Sequence, residues 1–224
     1  MHCVGPASGG ILPPLAKETL WRMRTFISVE IPEQMRQCLA SVCAASATRL
    51  ADEGLAPLLR WSDSGKAHLT LRFLGETSTA QRQTIGAMLG EVAAKHPPFS
   101  LALDGLGAFP NWRRLRVLWV GITGDLALLG RLQADIEQGA RACGFAAESS
   151  AFHPHVTLAR ISRDADYRLI SQVGALLSAQ PALAQRLGQW RVSELVWMRS
   201  DLQPGGSLYT PQGSYRLGAE TLSS

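Results

Sequence analysis

With 224 residues, 46% of them apolar and 18% charged, the chain has enough hydrophobic side chains for one large domain or two lobes sharing an interface. No segment is of low complexity, and no apolar run approaches the ~20 residues that cross a bilayer as a helix, so no membrane role is expected. The formal net charge of +4 is a mild excess that suits an anionic substrate.

The first 22 residues differ from the rest. Residues 5–14 are rich in Gly, Pro and Ser, Lys17 and Glu18 interrupt any apolar stretch, and no basic start precedes them, so this segment reads as a disordered extension rather than a secretory signal. A folded domain over residues 23–224 is expected. Residues 26–31 read as a strand, and Pro32 followed by Glu33 starts a helix reaching about Leu50. Beyond Trp61, residues 67–74 form a second strand closed by Gly75-Glu76. A helix over about 78–95 follows, capped by Ser78 or Thr79, with Ile85, Met88, Leu89 and Val92 as its buried stripe.

Residues 99–106 alternate as a half-buried strand, with Gly105, Gly107, Phe109 and Pro110 as a turn region. Arg113, Arg114 and Arg116 cluster after Asn111-Trp112, where they can guide a nucleic-acid backbone or simply face solvent in a loop. Residues 116–122 are strand-like, and Asp125 opens a helix to about Arg141 that Gly144 ends. A strand near His155, a helix over about 167–178 and a strand over 192–198 come next. A hairpin is expected last, with arms 207–210 and 214–217 joined by Pro211-Gln212-Gly213; residues 176–189 are unassigned. Cys3, Cys38, Cys43 and Cys143 show no metal-ligand spacing and read as small buried hydrophobes in a reduced cytoplasm.

One signature occurs twice. His68-Leu69-Thr70-Leu71 and His155-Val156-Thr157-Leu158 share the pattern His-x-Thr-Leu, each within an apolar run. Side chains alternate on a strand, so His and Thr share one face and their neighbours enter a core. Two such strands facing each other present two imidazoles and two hydroxyls to a common pocket: an acid, a base and two phosphate donors. From Phe26 to His68 is 42 residues and from Val117 to His155 is 38, through the same order of elements. The fold expected is α+β: two pseudo-symmetric lobes, each a mainly antiparallel sheet with outer helices, facing a central cleft.

The pair of motifs resembles the 2H phosphoesterase superfamily. The segments Arg24 to Pro32, His68 to Glu76, Val117 to Gly121, Phe152 to Arg160 and Tyr209-Thr210-Pro211 look like its bacterial RNA 2′,3′-cyclic phosphodiesterase branch, also called 2′-5′ RNA ligase. The resemblance implies hydrolysis of RNA or nucleotide 2′,3′-cyclic phosphates to 2′-phosphate ends, with reversible 2′-5′ ligation and without metal or cofactor. It makes His68 the proton donor and His155 the acceptor. Phosphate binding falls to Thr70, Thr157 and Arg160, and Phe73 and Arg72 are candidate base or substrate contacts. Histidine suits both proton transfers, since its ordinary pKa lies near neutrality.

Alternation raises a difficulty. Arg160 lies an odd five positions after His155, so a regular strand turns it away, and contact with phosphate requires a bulge. By the same count Arg72 shares the face of His68, while Phe73 reads first as a core residue. His96 reads as a loop residue ending a helix, and His153 with His155 lacks a carboxylate to complete a metal site. The partners expected are RNA or oligonucleotides with 2′,3′-cyclic phosphate ends, met by a cytoplasmic monomer. Two alternatives stand beside this: a phosphodiesterase for another small cyclic phosphate, and a non-catalytic RNA-binding module whose histidines only hydrogen-bond.

Overall fold

The computed structural model describes residues 23–203 and 206–218; the expected N-terminal extension lies outside the described residues. The elements are strand β1 (Met23–Glu30), helix α1 (Glu33–Asp52), strands β2 (Leu59–Trp61) and β3 (His68–Thr77), and helix α2 (Thr79–Ala94). Strands β4 (Phe99–Phe109) and β5 (Val117–Gly124), helix α3 (Leu126–Ala142), strand β6 (His155–Ile161) and helix α4 (Tyr167–Ser178) follow. The chain ends in β7 (Gly188–Val192), β8 (Glu194–Gln203) and β9 (Gly206–Arg216). Among the described residues no helix is long and apolar enough to cross a membrane.

The strands form two sheets with every pairing antiparallel, in the orders β3-β1-β8-β9 and β2-β6-β5-β4-β7. In these orders β3, β1, β8 and β9 of one sheet correspond to β6, β5, β4 and β7 of the other, which is the expected pseudo-symmetry. The helices cross between lobes. Helix α1 follows a strand of the first sheet yet packs with α4 and β7 of the second, Met35 lying over Gly188. Helix α3 follows a strand of the second sheet yet packs on β3 and α2 of the first, Met88 filling the space above Gly139. Local chemistry fixes the helix starts. Ser78 and Gln81 form a reciprocal capping box at α2, which satisfies two otherwise unpaired N–H groups. Buried residues of α1 at Met35, Leu39, Val42, Ser46 and Leu50 recur every three or four positions, so one stripe meets the core.

Several expectations are corrected. The strand read over 192–198 is two strands: β7 ends at Val192 in one sheet, and β8 starts at Glu194 in the other. The predicted hairpin is the single strand β9. Trp197 pairs Gly213 and Met198 pairs Pro211, so Gln212 is an extra residue in a bulge rather than the tip of a turn. Because β9 is an edge strand, the missing N–H of Pro211 disrupts no interior ladder. Gly75, at φ +69°, does not end β3, which continues to Thr77. Strand β4 likewise continues through Gly105 and Gly107, and Gly107 has no room for a side chain because the Trp119 ring lies against it. Within residues 176–189 the chain makes a 3-10 turn (Pro181–Ala184) and enters β7. Cys38, Cys43 and Cys143 are free thiols but half-buried rather than buried; Cys3 lies outside the described residues.

Candidate active site

Each signature occupies the start of its strand, and the two strands follow the same course. In β3 the residues Leu69 and Leu71 are buried while His68 and Thr70 are partly open; in β6 Val156 and Leu158 are buried while His155 and Thr157 are partly open. A register shift then falls at the same place in both. Thr70 pairs Ser28 but Arg72 pairs Ile27, leaving Leu71 extra; Thr157 pairs Trp119 but Ala159 pairs Leu118, leaving Leu158 extra. A bulge of one residue reverses the faces that follow. Arg160 therefore emerges exposed on the histidine face, which resolves the odd offset.

The bulge also corrects the first-lobe readings. Phe73 occupies the position equivalent to Arg160 and is 59% exposed, so it is not a core residue. Arg72 is turned inward at 6% exposure. Its guanidinium reaches Glu137 of α3 (2.5 Å), Glu148 (3.1 Å) and the carbonyls of Phe73 and Ala146. Alternation assigned Arg72 to the cleft face, and the extra residue at Leu71 is the physical reason it lies on the other.

Both imidazoles are oriented in the same way. His68 Nδ1 lies 2.9 Å from the carbonyl oxygen of Lys66, and His155 Nδ1 lies 2.7 Å from that of His153, each two residues upstream. A carbonyl only accepts, so each Nδ1 carries the hydrogen and each neutral Nε2 has a free lone pair. Aromatic rings surround them. Phe26 stacks on His68 at 4.8 Å with 28° between planes, and Tyr209 meets His68 edge-on at 5.1 Å. Phe109 meets His155 edge-on at 4.8 Å, and Trp119 lies 6.1 Å from it. His153 packs against both Phe109 and Trp119, at 5.3 and 5.0 Å, and those two rings touch each other at 5.1 Å.

This apolar enclosure sets the electrostatics. Burial is the main cause that lowers both imidazoles below their ordinary value of 6.5, since it disfavours the charged form; the carbonyl bonds oppose it. Arg36 and His155 lower His68 further, and His153 and Arg160 lower His155 further. The charge of His155 is the least of the causes at His68, so burial governs both imidazoles.

The hydroxyls of Thr70 and Thr157 make no hydrogen bond to another described residue, and neither threonine is fully buried. Arg160 forms no ion pair among the described residues. His96 follows the end of α2, as expected, and is also a buried partner of Asp135 at 2.8 Å, which ties that end to α3. Among the described residues no group of three or more His, Cys, Asp or Glu is arranged to hold a metal ion. Phe26, Phe109 and His153 were not singled out as site residues by sequence. The signal for Phe109 and His153 was faint: each neighbours a proline near a second-lobe motif.

The arrangement brings together two imidazoles, two hydroxyls without a protein partner among the described residues, the exposed Arg160 guanidinium and the exposed Phe73 ring. The family model described as the 2′-5′ RNA ligase superfamily matches residues 41–204. An RNA 2′,3′-cyclic phosphodiesterase of Aeropyrum pernix is 45% identical over 94 residues, which cover 42% of this chain and 52% of that protein. The chain thus spans about half the length of that relative. One of Methanothermobacter thermautotrophicus is 27% identical over 198 residues, covering 88% of this chain and 100% of that protein. The crystal structure of Escherichia coli LigT complexed with 3′-AMP superposes with a TM-score of 0.66 at 25% identity, covering 88% of this chain and 98% of that one.

Proposed function

The chain belongs to the 2′-5′ RNA ligase superfamily, and on that footing we propose that it hydrolyses RNA or nucleotide 2′,3′-cyclic phosphates to 2′-phosphate ends. The observation that carries this reading is the matched pair of imidazoles, each with Nδ1 held by a carbonyl and Nε2 left free. Relatives named RNA 2′,3′-cyclic phosphodiesterase support the substrate class, and the LigT complex with 3′-AMP supports a nucleoside monophosphate as the unit bound.

In this mechanism neutral His155 accepts a proton from water through Nε2 as the water oxygen attacks phosphorus. The bond from phosphorus to the 3′ oxygen breaks, and protonated His68 delivers its Nε2 hydrogen to that oxygen. The products are a 2′-phosphate and a 3′-hydroxyl. The two histidines end with their protonation states exchanged, and solvent restores them. Charge that develops on the phosphoryl oxygens meets the hydroxyls of Thr70 and Thr157 and the guanidinium of Arg160. Phe73, on the first-lobe side, stacks on the terminal base. A 5′-hydroxyl in place of water runs the same steps: His155 takes its proton, its oxygen bonds to phosphorus as the bond to the 3′ oxygen breaks, and a 2′-5′ linkage forms; the reverse steps cleave it. The enzyme acts as a cytoplasmic monomer on RNA ends.

Phosphorus NMR of adenosine 2′,3′-cyclic phosphate turned over in EDTA tests the whole reading. The expected product is adenosine 2′-phosphate. A predominantly 3′-phosphate product overturns the orientation assigned to His68 and His155. Activity lost in EDTA and restored by a divalent cation overturns the metal-free mechanism.

A further inference from the structure

A second feature lies further along the strands than the catalytic groups. Next to Arg160 of the proposed catalytic site, the paired residue on β2 is Arg60, and both are exposed. One step further, the N–H of Ile161 donates to the carbonyl of Arg116 (3.0 Å) and the N–H of Arg116 to that of Phe109 (2.7 Å). Around the end of these strands, on the side toward α4, lies a pocket of about 250 Å³ lined by Pro110, Arg114, Arg116, Tyr167 and Ile170. It is smaller than the roughly 300–1,000 Å³ of a drug-sized ligand site. Tyr167 is 62% exposed over it, an unusual display for a large ring.

The charges here are not neutralised. Among the described residues Arg60, Arg113, Arg114 and Arg116 form no ion pair, in contrast to Arg72 and Arg199. The nearby carboxylate of Asp166 is occupied at the start of α4, accepting from the N–H of Arg168 at 2.8 Å. Asn111 holds the turn that carries Trp112–Arg114, accepting from the N–H of Arg114 at 3.1 Å. Gly174 of α4 closes against the backbone of Trp112, which leaves no room for a side chain. The arginines and Tyr167 are therefore mounted on a packed junction rather than a free loop.

The edge beyond Arg160 lies more than five positions along the strand from His155, roughly 15 Å or more at the usual rise. A chain whose terminal phosphate lies at the histidines would follow Arg160 and Arg60 to this edge with its upstream nucleotides. Guanidinium groups bind phosphates along a single strand, and an exposed ring gives a base a surface to stack on. We infer that the Arg114–Arg116–Tyr167 pocket is a binding site for an upstream nucleotide of single-stranded RNA. The chain is thus built for oligonucleotide ends over cyclic mononucleotides. This rests on the cyclic-phosphodiesterase reading for its direction, while the site itself is tested independently.

The experiment compares a cyclic mononucleotide with a hexaribonucleotide ending in a 2′,3′-cyclic phosphate. It adds fluorescence anisotropy of a labelled hexaribonucleotide without that end. For the double variant Arg114→Gln with Arg116→Gln, KM for the hexanucleotide should rise roughly tenfold and the salt slope of binding should fall by about 0.7 per lost phosphate contact. The kcat and KM for the mononucleotide should not change. Tyr167→Ala should weaken hexanucleotide binding several-fold with the salt slope intact, which separates stacking from charge. Equal hexanucleotide binding by wild type and the double variant overturns the site, even where mononucleotide turnover is normal. Polyglutamate competing as well as RNA also overturns it, in favour of an acidic protein partner. Failure of the wild type to open either substrate would instead refute the catalytic reading, and the anisotropy would still decide the site.

Discussion

Strands β3 and β6 agree in His, Thr, buried neighbours and bulge, and then part at the residue that the bulge delivers to the cleft. The first lobe delivers Phe73, the second Arg160. Even the preceding position differs: Arg72 is buried in an ion pair network, whereas Ala159 needs no partner. In the proposed mechanism the shared part is what proton transfer requires, and it is nearly reversible under the pseudo-two-fold axis. The part that differs is then what tells the two ends of a substrate apart. On that reading symmetry supplies the chemistry, and its local failure supplies direction.

The hardest test of the shared part is removal of one imidazole. His68→Ala and His155→Ala should each lower kcat by roughly 10²–10⁴ with the circular dichroism spectrum retained. Turnover that survives either loss would break the equivalence. The part that differs is tested next. Arg160→Gln should cost about 10- to 100-fold in kcat/KM, the value of a charge-assisted hydrogen bond of about 1.5–3 kcal/mol. Phe73→Ala should act mainly on KM, through a lost stacking contact of about 1–3 kcal/mol. The exchange Phe73→Arg with Arg160→Phe should erode the preference for a 2′-phosphate product. Unchanged regiochemistry there would place the asymmetry elsewhere.

Arg72→Met probes the buried member of the pair. It should destabilise by about 3 kcal/mol, the low end for a broken buried ion pair because Glu137 and Glu148 keep some water. Thermal denaturation measures this, and mononucleotide KM should hardly move. A KM effect without destabilisation would return Arg72 to the substrate.

The smallest effects are in pH. With both imidazoles lowered, the bell of kcat/KM for the free enzyme should centre on the acid side of about 6.5. Arg36→Gln removes a cation that lowers His68, so the alkaline limb should move to higher pH; a fixed limb would reassign the acid. Stability carries the same sign. The folded state prefers neutral imidazoles, so the unfolded chain binds more protons, and stability should fall as pH drops through about 6.5. His68→Gln and His155→Gln should each flatten that decline in urea titrations across pH.

Much of this was legible in sequence because it depends on local pattern. Helix stripes, the Ser78 cap and the repeated His-x-Thr-Leu each declare themselves within a few residues. The bulges do not, since an extra residue is extra only relative to a partner strand, and Ile27 and Leu118 lie about 40 residues from theirs. One miscounted residue exchanged the fates of Arg72 and Phe73. Pro211-Gln212-Gly213 misled for a related reason: turn chemistry and an edge-strand bulge use the same residues. The break at Ser193 was hidden because apolar periodicity runs on while the chain changes sheets. Phe26, Phe109 and Tyr209 gather around the imidazoles only after both sheets form.

The crossing of α1 and α3 between lobes means that each sheet is roofed by a helix from the other half. Cut anywhere between the two signatures, the chain would yield pieces each lacking a roof or a pair of strands, so neither lobe is an autonomous folding unit. Melting should accordingly be a single event, with calorimetric and van't Hoff enthalpies equal, and two resolved transitions would contradict it. Hinge-like opening is disfavoured by the same interlock, so that a substrate meets a groove whose width the helices have already set.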